Sequence, residues 1–410
     1  MVSLPKVMLL AVTAFPGLQR LLVLVLAERI HGIESLGRLA NDLSIVSLLG
    51  FFTAVGWSTI ILSRIPAVPE SQCHQVAFGV SAWGFTAMIF GAVILTGLFW
   101  AGLVFHPVEA AAILFGWSSY QLVRHFMLAR QSYRRLFVIE TSITLGALAI
   151  LLGLSDSTAA YRAISVPFLL AGLLGFASGW RSLSKSGRKN NVLFALADLR
   201  TGLEYSATNI LTGGTVLLLT PAAVFLAGDA YGGIIGLMLG MLSVMILIPR
   251  AMGFSNLPAV SGALGKSDLA GALSLHRTFK HQILVLSFLM ACMLVFSGLL
   301  LGNEYYQQIY TTDGSKAAFI SLIVYFVISQ AMLPDANLLV ALQKSAIQFR
   351  IALASFLLFL ATVLILVGIG LRGPNAVILI LAALIVSAAL RGLWTAKAVR
   401  AGIAIRHNEI

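Results

Sequence analysis

The chain has few charged residues: Asp, Glu, Lys and Arg make up only 10% of its 410 residues, against roughly a quarter in soluble proteins. Hydrophobic residues make up 59%, and no segment is long and polar enough for a soluble catalytic domain. Apolar runs of about 20 residues, the length that spans a bilayer core, recur from end to end with short gaps. The composition therefore excludes a soluble enzyme and predicts an all-α polytopic membrane protein.

The chain also has few groups that carry out chemistry. Its two cysteines, Cys73 and Cys292, have no ligand-like neighbours, and its seven histidines show no metal-binding spacing. There is no phosphate-binding glycine loop of Walker type and no nucleophile with a recognisable base. We therefore expect no cofactor, no metal and no enzymatic activity. Without an ATP site, any transport would be driven by ion gradients or by the membrane potential.

The net charge of +12 would suit a nucleic-acid partner, but the positions of the charges argue against one. Basic residues lie mainly in alternate loops, and the loops between them hold seven of the fifteen acidic residues. The positive-inside rule then places both termini in the cytoplasm. The apolar pattern predicts twelve spans, over residues 5–27, 42–62, 77–104, 108–128, 136–154, 160–180, 200–226, 231–254, 283–302, 316–342, 348–371 and 374–395.

The loops indicate two halves. The polar, basic segment 181–199 is predicted to be a cytoplasmic linker between an N-terminal six-helix lobe (1–180) and a C-terminal one (200–395), with a tail over 396–410. Similar connectors around Gly32 and Gly228 precede spans 2 and 8, which suggests two bundles in parallel orientation. We also expect a short interfacial amphipathic helix over 267–281, capped by Ser267 and Asp268, and a tight hairpin over 370–374.

Ionisable residues inside the spans are functional candidates, because each costs several kcal/mol unless it faces a partner or water. Gln19 and Arg20 lie in span 1, just after a kink expected at Pro16. Arg20 either faces a water-filled cavity, or it snorkels or pairs with Glu28 or Asp42.

Span 7 carries a polar stripe of residues four apart: Arg200, Glu204, Thr208 and Thr212, with Asn209 beside it. Four-residue spacing places them on one helix face. That face either lines a cavity or, in its inner part, packs against another helix.

Two buried acids have alternative explanations. Glu140 at the start of span 5 is predicted to form a structural ion pair with Arg124 at the end of span 4. Asp335 follows Pro334 in span 10, where it either binds a proton or cation or caps a kink. Arg250, at the end of span 8, is either functional or a positive-inside anchor.

The chain resembles the multidrug/oligosaccharidyl-lipid/polysaccharide (MOP) exporter superfamily, and within it the Wzx-type O-antigen flippases. Twelve spans in a six-plus-six arrangement with a basic middle linker are typical of that superfamily. The similar segments are RIHGIESLG (29–37), IPR (248–250), NLPAV (256–260), GKSDL (265–269), GNEY (302–305) and LQK (342–344).

The resemblance implies two lobes in a V around a central cavity, which alternate between inward-open and outward-open states. It implies a substrate, undecaprenyl-diphosphate-linked oligosaccharide, that moves across the bacterial inner membrane, with membrane lipids, a polysaccharide polymerase and a chain-length regulator as partners. Related lipid II flippases have essential arginines in spans 1 and 8, where Arg20 and Arg250 stand here.

These considerations together define the expected site. Guanidinium groups suit phosphate oxygens in charge and geometry, and uncharged polar groups suit sugar hydroxyls. We expect diphosphate binding by Arg20, Arg200 and Arg250, cavity lining by Gln19, Gln121, Thr208, Asn209 and Thr212, and ion coupling by Glu204, Glu140 or Asp335.

Two other functions remain open from the sequence. A drug or cation antiporter of the same superfamily would be expected to hold an acid deep in an N-terminal span, where this chain has Arg20. A membrane O-antigen polymerase or ligase would be expected to have a large outer loop, whereas the outer loops here are short.

Overall fold

The computed structural model describes residues 4–65, 70–130, 132–154, 158–185, 196–265, 267–300, 311–342 and 344–409. Within these ranges the chain is helical apart from short connections, and no strand occurs. The helices are α1 (Leu4–Gly50), α2 (Gly56–Arg64), α3 (Glu70–Trp100), α4 (Pro107–Ala129), α5 (Tyr133–Gly153), α6 (Ala159–Lys185), α7 (Leu196–Asn209), α8 (Leu219–Ala227), α9 (Asp229–Gly265), α10 (Leu269–Leu300), α11 (Ser315–Ala331), α12 (Leu333–Ala341), α13 (Ser345–Gly368) and α14 (Pro374–Glu409).

Irregular turns join some of these helices end to end. A π-helical turn, Phe51–Val55, links α1 to α2, and a π turn (Ile210–Gly214) followed by a 3-10 turn (Thr215–Leu218) links α7 to α8. Predicted spans 2 and 7 are therefore continuous rods whose helical geometry changes midway.

Most of the predicted spans are long apolar helices. Among the described residues, nine helical segments are long and apolar enough to cross a membrane. Because the first of these covers predicted spans 1 and 2, the twelve predicted spans correspond to these nine together with α4 and α9. The predicted all-α polytopic fold is confirmed.

The two similar connectors each contain a glycine with a left-handed backbone. Gly32, inside α1, has φ 80°, and Gly228, between α8 and α9, has φ 88°. A Cβ at either position would meet nothing within 4 Å, so the requirement is conformational rather than steric. The same backbone device therefore separates spans 1 and 2 and spans 7 and 8.

The hairpin over 370–374 is confirmed. It lies between α13 and α14, and Gly370 and Gly373 have φ of 71° and 84°. The prediction of a short interfacial helix over 267–281 is wrong, because residues 269–281 are the first part of the continuous α10. Its predicted cap is present, since the backbone N–H of Gly271 donates to Asp268 Oδ1 at 2.7 Å.

The chain divides into two compact units, Met1–Val224 and Phe225–Ile410. In the first unit α4 is central and contacts α1, α2, α3 and α6. Its polar residues are buried inside the unit; Ser118 Oγ, for example, lies 2.6 Å from Thr53 Oγ1. In the second unit α11 packs against α10 and α14.

The boundary between the units falls within α8, so α7 packs with the first unit, against α2. Part of the predicted linker, 186–195, lies outside the described residues. The division of the chain at 181–199 therefore stays a prediction.

Candidate functional site

Arg20 lies on α1 and lines a cavity of about 70 Å³ inside the first unit. Helix α1 reaches this cavity twice, before and after the break at Gly32, and α4 and α6 complete the walls. The other lining residues are mostly apolar: Pro16, Gln19, Val23, Leu43, Val46, Ser47, Ile113, Trp117, Ile164 and Phe168.

Two side chains of this cavity, Gln19 and Arg20, lack a protein partner, whereas Ser47 donates to the carbonyl of Leu43 at 2.6 Å. Gln19 is only 3% exposed, and neither its Nε2 nor its Oε1 forms a hydrogen bond. Arg20 Nε is buried and equally unsatisfied, and the guanidinium forms no ion pair with any described residue. A buried charge without a counter-charge is strongly unfavourable. The cavity is therefore suited to water or an anion that completes these contacts.

Asp42, which the sequence offered as a partner of Arg20, is fully used elsewhere. It is completely buried and accepts four hydrogen bonds, of 3.0–3.1 Å, from the backbone N–H groups of Phe105 and His106, from Asn41 Nδ2 and from Tyr161 Oη. These bonds join α1 to the α3–α4 connection and to α6. Asp42 is thus a structural carboxylate with no free lone pair for a cation.

Glu140 is likewise compensated. It is fully buried, and Arg124 Nε lies 2.9 Å from its Oε1, which confirms the predicted ion pair. Arg124 also donates from Nη2 to the carbonyl of Val12 at 3.1 Å, so the pair links α1, α4 and α5. The hydroxyl of Tyr120 lies beside Glu140. A role for Glu140 in ion coupling stays a prediction.

The polar stripe of span 7 is exposed at Arg200 and Glu204 and half-buried from Thr208 onward, and its members bond to one another or to the backbone. Arg200 Nε bonds Glu204 Oε1 at 2.9 Å, with the two side chains 84% and 64% exposed. Thr208, Thr212 and Asn209 each donate to the carbonyl four residues earlier, at 2.8–3.0 Å. None of these residues lines the Arg20 cavity.

The opposite face of α7 holds it against α2. Gly202 faces the ring of Trp57, and a Cβ on Gly202 would come within 3.0 Å of that ring. A Cβ on Gly56 would likewise come within 3.0 Å of Ser206 Oγ and Gly202 O. Trp57 Nε1 donates to the carbonyl of Phe52 at 2.7 Å, within the π turn. This face explains why α7 belongs to the first unit.

Further along the same rod, the inner part of span 7 packs against another helix through two glycines. Gly213 and Gly214 lie against Phe51 and Leu48 of the α1 rod. Small residues let helix backbones approach closely in a membrane.

Asp335 forms a charged cluster in the second unit. It lies on α12 and bonds two residues one turn apart on α10: Lys280 Nζ at 2.7 Å and His276 Nε2 at 3.0 Å. Nearby, Asn337 Nδ2 lies 3.5 Å from the carbonyl of Gly253 on α9. Sequence reasoning placed His276 and Lys280 on an interfacial helix and missed this cluster, although their four-residue spacing was visible.

Two further predicted residues, Gln121 and Arg250, lie on other parts of the chain. Gln121 is buried in α4 but does not line that cavity. Arg250 lies on α9, and its side chain is outside the described part of the structure. Of the predicted site residues, the cavity brings together Arg20 and Gln19.

A larger cavity of about 760 Å³, not expected from the sequence, lies at another place in the first unit. It is formed where α3 and α5 begin and where α4 and α6 approach their ends. Three arginines line it: Arg130, Arg134 and Arg135.

No family model matches the sequence, and no curated protein matches it. Solved structures do match over nearly the whole chain. The eukaryotic MATE transporter AtDTX14 is 17% identical, with a TM-score of 0.68 over 98% of this chain and 97% of that chain.

Two further matches are structures of a multidrug resistance MATE family transporter of the MOP superfamily. The inward-facing conformation is 14% identical, with a TM-score of 0.61, and covers 98% of this chain and 96% of that one. The outward-facing conformation is 16% identical, with a TM-score of 0.63, and covers 97% and 96%. At these identities the likeness is one of fold: the chain has the fold of MATE transporters.

Proposed function

We propose that the chain is a transporter that works by alternating access and moves a polyprenyl-diphosphate-linked oligosaccharide across the bacterial inner membrane, with both termini cytoplasmic. The observation that carries this proposal is the uncompensated guanidinium of Arg20, next to the unpartnered amide of Gln19. The transporter fold and its inward- and outward-facing relatives support the transport cycle.

A diphosphate cannot cross a medium of low dielectric constant unless its charge is balanced, because an unpaired charge there is prohibitive. A guanidinium balances it and matches the phosphate oxygens with paired N–H donors. Since Arg20 has no acidic partner among the described residues, its positive charge is available to a substrate anion.

Two buried acids of the first unit, Asp42 and Glu140, support an anionic rather than a cationic substrate. Asp42 is saturated by four donors, and Glu140 is paired with Arg124. A cation entering this unit would find both carboxylates occupied and an unpaired arginine in the cavity. Their compensation leaves the first unit with a site of net positive charge.

The oligosaccharide has to lie outside the Arg20 cavity. A volume of about 70 Å³ holds a few water molecules, since each needs roughly 10–15 Å³ of such volume. We therefore assign Arg20 and Gln19 to the phosphate end of the substrate. The exposed beginning of the α7 stripe, with Arg200, offers hydrogen bonds to the rest of the headgroup, while the prenyl tail stays in lipid.

A cation or drug antiporter is the second candidate, because the structures that share the fold are described as multidrug resistance MATE transporters. The acidic residue that binds the cation in such an antiporter could not be Asp42 or Glu140, because both carboxylates are already compensated. The Asp335 cluster of the second unit is the alternative carboxylate, although it too is paired, with Lys280 and His276.

The test is a deletion strain complemented with variants, in which the lipid-linked oligosaccharide of each membrane leaflet is measured. Arg20→Ala should abolish surface polysaccharide and leave the oligosaccharide in the inner leaflet, and Arg20→Lys should rescue only partly, because an ammonium lacks the planar fork. Arg350→Ala, which removes an exposed arginine of the second unit, is the matched control and should behave as wild type.

Membrane levels of each variant are measured in the same cells, so that loss of protein is not mistaken for loss of transport. Normal polysaccharide in a well-expressed Arg20→Ala strain contradicts the proposal. Unpolymerised units in the outer leaflet of the deletion strain would indicate a polymerase instead. Efflux of a cationic dye that depends on the protein, with unchanged polysaccharide, would favour the antiporter.

A further inference from the structure

We propose that the 760 Å³ cavity of the first unit binds the phosphate-bearing headgroup of a membrane lipid, at a site separate from Arg20. We call this cavity the basic crevice; its polar lining includes His74, Ser81, Arg130, Arg134 and Arg135. The crevice and the Arg20 cavity share no lining residue.

The charge at the crevice is only partly balanced. Arg130 forms an ion pair with Glu70 and lies over the ring of Phe126, 5.9 Å from its centroid. Arg134 and Arg135 are exposed and have no partner in the part of the chain that the structure describes. Two positive charges therefore face the crevice without a counter-charge.

These two arginines stand where a helix disfavours them. They are the second and third residues of α5, whose first turn holds no acidic residue and whose N-cap, Ser132, makes no side-chain capping bond. The N-terminus of a helix carries a partial positive charge and free N–H groups, so cations there are unfavourable and anions favourable. A bound phosphate would offset both the arginines and the helix end.

A buried hydroxyl provides independent support. Ser81 lines the crevice, is only 3% exposed and forms no hydrogen bond with a described residue. The hydroxyl is therefore available to bond a ligand or water inside the crevice. It lies on α3, whereas Arg134 and Arg135 lie on α5.

The apolar lining indicates a lipid rather than a free anion. Phe78, Phe126 and Phe176 line the same crevice, with the rings of Phe78 and Phe176 5.8 Å apart. Charged groups at the helix ends and aromatic rings between the helices match a molecule with an anionic head and an apolar body. The positive-inside pattern predicts that this end is cytoplasmic, where anionic lipids attract basic residues.

The test is native mass spectrometry of the purified full-length protein in neutral detergent, titrated with dioleoyl phosphatidic acid. Dioleoylglycerol, which has the same tails without phosphate, and inorganic phosphate are the two comparison ligands. Phosphatidic acid should bind with one high-affinity site, while dioleoylglycerol should bind much more weakly. The double variant Arg134→Gln/Arg135→Gln should bind phosphatidic acid about tenfold more weakly or worse, because it loses charge-assisted hydrogen bonds.

Two further variants make the result decisive. Arg277→Gln/Arg350→Gln removes two exposed arginines of the second unit and should keep wild-type affinity. Ser178→Phe, at an exposed position of the crevice wall, fills space without changing charge and should also weaken binding. Wild-type affinity in both Arg134→Gln/Arg135→Gln and Ser178→Phe overturns the proposal. Displacement of the lipid by millimolar inorganic phosphate would show that the crevice selects a free anion, and would overturn the lipid assignment. None of these outcomes depends on what the protein transports.

Discussion

The ion pair between Arg124 and Glu140 yields a prediction in which two single substitutions are worse than their combination. Both side chains are buried, 11% and 0% exposed, and their contact is 2.9 Å. Removing one partner leaves the other charge buried and unpaired, which typically costs about 3–5 kcal/mol. We therefore expect Arg124→Met and Glu140→Leu each to lower the stability of the first unit by roughly that amount.

The double variant Arg124→Met/Glu140→Leu should recover most of this loss. Replacing a buried pair by apolar residues of similar volume is often neutral or stabilising, by about 1–4 kcal/mol. The carbonyl of Val12, which loses its bond from Arg124 Nη2, reduces the gain by about 1–3 kcal/mol. The coupling between the two substitutions should thus be about 3 kcal/mol or more and favourable.

The measurement is thermal unfolding of the four proteins in one detergent, read as a double-mutant cycle. Single losses that simply add in the double variant would refute a structural pair. Transport assayed on the same proteins separates the two roles of Glu140. If it is structural, the double variant recovers transport together with stability; stability without transport would identify Glu140 as a coupling acid.

Two further predictions concern contacts between helices, and both are measured by thermal unfolding in detergent. Gly202→Ala should destabilise the protein by about 1–3 kcal/mol, because its Cβ would overpack against the Trp57 ring. The control is Gly97→Ala in α3, which should be neutral or stabilising because a Cβ there meets nothing within 4 Å. Asp335→Asn should lower stability by about 1–3 kcal/mol, since two charge-assisted bonds to α10 are weakened. Lys280→Met should cost at least as much, because it leaves the buried Asp335 carboxylate with His276 as its remaining partner among the described residues, whereas Asp335→Asn leaves an ammonium that is 40% exposed to solvent; a clearly smaller loss for Lys280→Met would contradict the assignment.

The number of spans could be predicted because it depends on length and hydropathy alone. Even α4, with Ser118, Ser119 and Gln121, was correctly placed, since its polar residues are hidden inside the first unit rather than in lipid. The hairpin at Gly370 and Gly373 could also be predicted, because a turn with a left-handed backbone favours glycine.

Partners distant in sequence are what single-helix patterns miss. Apolar residues on one side of 267–281, in a row with His276 and with Lys280 nearby, gave the segment an amphipathic pattern, which was interpreted as a helix lying on the membrane surface. In the structure His276 and Lys280 face Asp335, 55 residues beyond Lys280, and the helix continues as a span. From the sequence of a short segment, a polar helix face that contacts water cannot be told apart from one that contacts a charged residue on another helix.

The face of α7 posed a related problem. Periodicity correctly grouped Arg200, Glu204 and Thr208 on one side of the helix, but it could not say which side packs. That is determined by Gly202 against Trp57 and Ser206 against Gly56, contacts between residues far apart in the chain. The available signal was the glycine four residues before a serine, a pattern of small residues that permits close helix contact.

Arg20 and Arg124 illustrate how a partner decides the meaning of a buried arginine. Both lie in membrane helices of the first unit, but Arg124 has Glu140 and a backbone carbonyl, whereas Arg20 has neither an acid nor a bond at Nε. Removing Arg124 exposes a buried carboxylate to the full penalty of an unpaired charge, while removing Arg20 relieves one. The Arg20→Ala protein should consequently unfold at the same temperature as wild type or a higher one, even though its transport is lost. A variant that is at least as stable as wild type but does not transport would show that Arg20 serves ligand binding and not the stability of the fold. A marked drop in unfolding temperature would instead identify Arg20 as a structural residue.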